Sequence, residues 1–374
     1  MNFKVSSTAL TNRLQAISRV INPKPIFPIL EDFLFRIEEG KLIVTAADND
    51  TTLEAIIEIL EGDENTRIAF PAKTLLDALK AIPEQPLSFS IDENNFATIV
   101  KYQNGEYNLV GHNPDEYPTP AVLSEDASKI EIGSTILADE LSRTIFATAD
   151  DELRPVMNGI LFDMTTEGAT FVASDGHKLV CCKNNDVKAE SKASFILPKK
   201  PASLFRSLME KDNSPVAIEF DNRIAKFSLP EFSMVCRLID GRYPNYNAVI
   251  PQNNPHCLTI DRQTMINALR RVSVFSPASS GLIKLRLQEN QLFISTKDID
   301  YSTSANEALE CQYSGAAMSI GFKAGFLIEI LNNMPGQEIT FKLADPSRAG
   351  VAVPNEQNES ESLLMLLMPM VLND

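Results

Sequence analysis

Tyr117-Pro118 and Tyr243-Pro244 stand 126 positions apart, and Pro369 follows Pro244 after a further 125. A constant period constrains a chain more than any isolated motif, because every copy has to repeat one structural plan. Other signals keep the same step. Apolar residues spaced three and four apart predict a helix over residues 7–20, on Leu10, Leu14, Ile17 and Val20. That register returns over 136–146 (Leu137, Leu141, Ile145) and over 265–272 (Met265, Leu269, Val272). A second helix begins in each copy, at Pro71, at Pro198 and at Lys323. Proline suits the first turn, where its missing N–H goes unneeded.

Between the helices run short alternating segments that predict antiparallel strands, among them 33–37, 41–46, 98–102, 107–110, 216–220, 224–229, 282–287 and 291–295. Turn pairs such as Glu39-Gly40, Asn104-Gly105 and Asp221-Asn222 separate them. The expected architecture is α+β, with three similar domains at 1–127, 128–251 and 252–374. Each should hold two helices packed on about eight antiparallel strands.

With 44% hydrophobic and 22% charged residues the chain reads as globular. Its net charge of −16, taken whole, argues against a nucleic-acid binder. The distribution argues otherwise. The six predicted helical stretches sum to +8, so the acidity lies elsewhere. Residues 7–24 carry Arg13, Arg19 and Lys24 and no acid; residues 198–211 carry Lys199, Lys200, Arg206 and Lys211 against Glu210. If such helices shared a surface it would draw phosphates while the remainder repelled them. Solubility alone suffices to explain any single basic helix face.

The five cysteines (Cys181, Cys182, Cys236, Cys257, Cys311) lack zinc-ligand spacing and read as free core thiols in a reducing cytoplasm. Cys181 and Cys182 should face opposite sides of one strand. No cofactor or metal is expected. The opening Met1-Asn2-Phe3-Lys4-Val5 alternates like a strand and does not resemble a signal peptide. The longest apolar run, 363–372, is interrupted by Pro369 and is too short to span a bilayer, so no membrane association is expected.

Near the midpoint lies Ser174-Asp175-Gly176-His177-Lys178-Leu179, a polar turn between two apolar segments. It holds one of three histidines. A hydrolytic reading would use Ser174, Asp175 and His177. Residues this close within one hairpin do not readily reach nucleophile–base–orienter geometry, which normally draws on separate loops. No Gly-x-Ser-x-Gly, phosphate-binding loop or metal-ligand cluster occurs elsewhere.

Taken with Pro25-Ile26-Phe27-Pro28-Ile29-Leu30, Met157-Asn158-Gly159-Ile160-Leu161-Phe162, Gly241-Arg242-Tyr243-Pro244-Asn245-Tyr246 and the terminal Met368-Pro369-Met370, this turn makes the whole chain resemble the bacterial DNA polymerase III β subunits, the sliding clamps. The resemblance implies a DNA clamp fold, a ring-forming head-to-tail homodimer with helices lining the hole. It implies no catalytic site but a processivity role in the cytoplasm: a ring around duplex DNA, held topologically and without regard to sequence. The ring would tether the replicative polymerase α subunit, the clamp-loader δ subunit and other proteins bearing a clamp-binding motif.

Carried over residue by residue, the family's partner-peptide pocket falls on Met157, Ser174, Gly176, His177, Lys178, Leu179, Pro244, Val249, Leu366, Leu367, Met368, Pro369 and Met370. Its DNA contacts fall on Lys24, Lys73, Arg154, Lys199 and Lys200, and its dimer interface on Tyr107 and Leu109 against Val274 and Phe275. Lys178 stands where the family often has arginine, Ala248 where some members have a second one, and Val371 where a basic residue is usual. Pro155 and Val156 replace an aromatic pair, and Asn373-Asp374 extend the usual end. A scaffold of three similar domains without a basic hole would share the fold but not the charge map.

Overall fold

A computed structural model describes residues 1–209 and 214–372 of the chain. Glu210 and Lys211 of the charge reading, and the Asn373-Asp374 extension, lie outside the described residues. The six predicted helices form as α1 (Ser7–Ile17), α2 (Ala72–Leu79), α3 (Ser134–Thr144), α4 (Lys199–Arg206), α5 (Arg262–Ser273) and α6 (Ala324–Asn333). α1 starts where Ser6 caps it, its hydroxyl accepting from Ala9 N at 3.1 Å, and its Leu10, Leu14 and Ile17 are buried. Residues 18–20, predicted as its last turn, tighten into a 3-10 turn, Ser18–Val20. None of the described helices is long and apolar enough to cross a membrane.

The chain divides into two compact units, and the division does not follow the repeats. One comprises 1–137 and 200–238, the other 138–199 and 239–374. In the first unit, a five-stranded sheet ends on Gly105–Val110. An eight-stranded sheet joins four strands of the first repeat to four of the second. The join is Thr51–Glu58 against Phe232–Arg237, antiparallel, with Leu53 opposite Met234. Phe3 stacks on Phe89 at 4.5 Å and Phe35 meets Phe70 edge-on at 5.2 Å, so aromatic rings from both sheets make this core.

The second unit repeats the plan. A nine-stranded sheet joins the second repeat to the third through Lys178–Asn184 against Glu361–Leu367, with Leu179 opposite Leu366. Its four-stranded sheet ends on Thr303–Glu310. The same aspartate turn recurs in all three repeats. Asp48 accepts from the N–H groups of Asp50 and Thr51, Asp175 from His177 and Lys178, and Asp298 from Asp300 and Tyr301.

The five cysteines are not all core thiols. Cys181, Cys182 and Cys236 are buried, but Cys257 is exposed and Cys311 half-buried. Cys257 lies on His256–Asp261, where Leu258 and Ile260 take the inward positions and leave it on the outward face.

Candidate functional site

The 174–179 turn is fixed by its own side chains. Gly176 N donates to Ser174 Oγ at 3.1 Å, and that hydroxyl donates to Lys178 O at 2.8 Å. Asp175 Oδ1 accepts from His177 N at 2.8 Å and Lys178 N at 2.9 Å, while Oδ2 takes Lys178 Nζ at 2.7 Å. Gly176 has φ +88°, a backbone conformation that calls for glycine; the nearest atom to a Cβ there would be the mobile tip of Arg154, Nη1 at 3.0 Å. Every oxygen of the supposed hydrolytic set is thus committed to shaping the turn. The His177 ring instead lies on Phe326, centroids 5.7 Å apart and 25° between planes.

The C-terminal segment closes against this turn. Met368 N donates to His177 O at 2.9 Å, and Met370 N donates to Gly321 O at 2.8 Å. Gly321 permits that approach, because a Cβ would come within 2.6 Å of Met370 O. Leu179 and Leu366 share a buried cluster with Val172 and Tyr243. Of the remaining pocket candidates, Leu367 is buried opposite Lys178, Pro369 is half-buried, and Pro244 and Val249 are exposed on the segment after Tyr243. Met157 is buried, but its neighbour Val156 is the one packed against the cluster.

Lys178 behaves unlike a rim cation. Its side chain is 5% exposed, pinned between Asp175 and Glu329 Oε2 (3.1 Å) with its ammonium 4.4 Å from the Phe326 ring centroid. Lys323 Nζ approaches the same ring at 4.6 Å. Lys323, Phe326 and Glu329, all on α6 or at its cap, are not among the pocket residues that the sequence resemblance implies. The signal was available: residues 323, 326 and 329 form a second stripe three apart, beside the buried Leu327, Ile330 and Leu331.

Burial disfavours the charged form of Asp175, but Lys178 and two backbone N–H groups outweigh it and hold the carboxyl below its ordinary value of 3.8. A depressed acid stabilises the fold at pH values above 3.8, and that contribution disappears as pH falls through the lowered value. Lys178→Met, which leaves the buried carboxylate unpaired, is expected to cost about 3 kcal/mol in urea unfolding at pH 7. The gap between variant and parent should narrow in acid; an equal gap at pH 7 and pH 3 would count against this pair.

The cations of the helices and of the DNA-contact candidates sort into two groups. Arg13 pairs with Glu231, Arg271 with Glu307, Arg143 with Glu361 and Lys80 with Asp77. Lys200 is bound to Asp48 and also donates to Val20 O at 3.1 Å; Arg154 Nε donates to Asp151 Oδ2 at 2.8 Å. Arg19, Lys24, Lys73, Lys199 and Arg270 are exposed and form no ion pair among the described residues. Counting helix charge therefore overstated the free cations.

Three family models, described as the N-terminal, central and C-terminal domains of the DNA polymerase III beta subunit, match residues 1–121, 131–245 and 247–370. The chain belongs to the DNA polymerase III β-subunit family. It is a DNA sliding clamp with the three-domain clamp fold, and sliding clamps are processivity factors, not enzymes. The beta sliding clamp of Haemophilus influenzae is 25% identical over 374 residues, covering 100% of both chains. That of Caulobacter vibrioides is 27% identical and covers 94% of this chain and 96% of its own. Among solved structures, a sliding clamp from Pseudomonas aeruginosa bound to griselimycin superposes with TM-score 0.93 at 24% identity, and one from Bartonella birtlesii bound to griselimycin with 0.91 at 25%, each covering 100% of both chains.

Proposed function

We propose that two copies of this chain, each with domains at 1–127, 128–251 and 252–374, close head to tail into a ring around duplex DNA in the cytoplasm. One observation carries this reading. The strand after the aspartate turn in the first repeat pairs with the last strand of the second, and the same strand in the second repeat pairs with the last strand of the third. The two strands left over, Thr303–Glu310 and Gly105–Val110, each end a sheet. They are the matching halves of a third seam, which a second copy supplies; two such seams close on a two-fold axis. Beside these edges stand Tyr107 and Leu109, half-buried, and Val274 and Phe275, 76% and 43% exposed. The test is retention on DNA after loading. A clamp stays on circles and leaves linear ends, and equal retention on both would reject the ring.

The pocket residues Met157, Ser174, Gly176 to Leu179, Pro244, Val249 and Leu366 to Met370 would receive short apolar peptides from the polymerase α subunit, the loader δ subunit and repair proteins. The Leu and Met side chains re-pack around differing anchors, which favours many partners. Clamps bound to griselimycin support a ligand site in the family.

Among the DNA-contact candidates, Lys24, Lys73 and Lys199 keep their charge for phosphates, whereas Lys200 and Arg154 share theirs with Asp48 and Asp151. Converting Lys24 and Lys73 to glutamate should lower the salt slope of duplex binding by about 2, near 0.9 for each phosphate no longer neutralised. Lys200→Ala should change that slope by less than about half a unit. A fall near 0.9 for Lys200→Ala would show that the ion pair opens on DNA.

A further inference from the structure

A cleft of about 750 Å³ opens in the first repeat, between the turn after α1, Asp32 and the outer face of α2. Its charges are largely sorted. Asp32, 3% exposed, is bonded to His112 Nδ1 at 2.5 Å, and Asp77 is held by Lys80 Nζ at 2.9 Å, which leaves Glu31 as the open carboxylate. Lys73 lines the cleft without an ion pair among the described residues, and Lys24 directly follows the lining residue Pro23. The walls include Ile21, Pro23, Pro28 and Leu76. Immediately before Pro28, Ile26 and Phe27 are 74% and 57% exposed in a segment braced by Pro25 and Pro28. An exposed aromatic three residues along the chain from the unpaired Lys24 offers a face on which an unstacked base can stack.

We propose that this cleft holds one unpaired nucleotide of a DNA strand. The base lies against the proline and leucine walls with Phe27 as the stacking face, and the flanking phosphates lie at Lys24 and Lys73. His112, whose Nδ1 is taken by Asp32, keeps Nε2 for the base edge. A duplex keeps its bases stacked inside, so only a single-stranded segment can enter a concave site of this size. The inference rests on the reading that DNA passes Lys24 and Lys73.

The test uses the full dimer and a fluorescent oligothymidylate of about 15 nucleotides, read by anisotropy at low salt. Thr74→Trp, which fills the cleft from its exposed rim, and Phe27→Ala should each weaken binding about tenfold or more, while retention on circular duplex after loading stays at the parent level and serves as the folding control. Iodouracil crosslinks should map to residues 18–28, 73–80 or 112. Unchanged affinity in both variants, or crosslinks confined to 174–179 and 366–370, would overturn the proposal. Failure of the parent protein to distinguish circles from linear DNA would reject the ring reading instead, leaving the oligonucleotide result to stand separately.

Discussion

Removing residues 368–374 is expected to abolish binding of polymerase and loader peptides, by about 100-fold or more, while the dimer survives. The deletion begins one residue after the Glu361–Leu367 strand, so the ladder against Lys178–Asn184 and the Leu179–Leu366 cluster remain. What goes is the wall: Met368, 45% exposed, and Met370, held by its bond to Gly321 O. Fluorescence titration with a clamp-binding peptide reads the first effect, and size analysis by light scattering the second. A finer variant probes the same wall. Gly321→Ala puts a Cβ against Met370 O and should push the terminal segment outward with a smaller loss of affinity. If deletion produces monomers, the C-terminal segment is structural and the pocket reading fails.

The second large effect is expected from Val274→Arg combined with Phe275→Glu, which should give monomers at micromolar concentration. In the proposed ring these side chains leave water on dimerisation, and each contributes roughly 1–2 kcal/mol of apolar burial. Replacing them with charges reverses the sign, because a desolvated charge without a partner costs several kcal/mol. The neighbouring Arg271–Glu307 pair already uses the nearby native acid, so the new arginine gains no native counter-ion there. Folding should be unaffected, since Val274 is 76% exposed in the single chain. A dimer that persists, with unchanged mass on dilution, would show that Val274 and Phe275 lie outside the contact.

The sequence carried the elements well because their physics is local. Leu10, Leu14 and Ile17 mark one face of α1 by spacing alone, and the Asp175-Gly176 turn announces itself through residue types that tolerate it. Which strand pairs with which across repeats was not legible: Leu53 and Met234 sit in alternating apolar patterns that fit any neighbour. Charge pairing was equally hidden. Lys200 looked like a free cation until folding brought Asp48, 152 positions away in sequence, to its ammonium. Lys178 stands where the family often has arginine, and its sequence position gave no sign that it is buried between Asp175 and Glu329.

The sheet that runs from the first repeat into the second also decides how the molecule can come apart. A protease that cuts at residues 124–127 severs the covalent link but leaves the Thr51–Glu58 and Phe232–Arg237 strands in their main-chain ladder. The nicked pieces should migrate together until denatured. A fragment expressed as residues 1–127 alone would instead expose Thr51–Glu58 as a new strand edge, beside the edge that Gly105–Val110 already forms, and should seek other copies of itself. Sequence periodicity counts three modules here, but the hydrogen bonds make none of them a separable part.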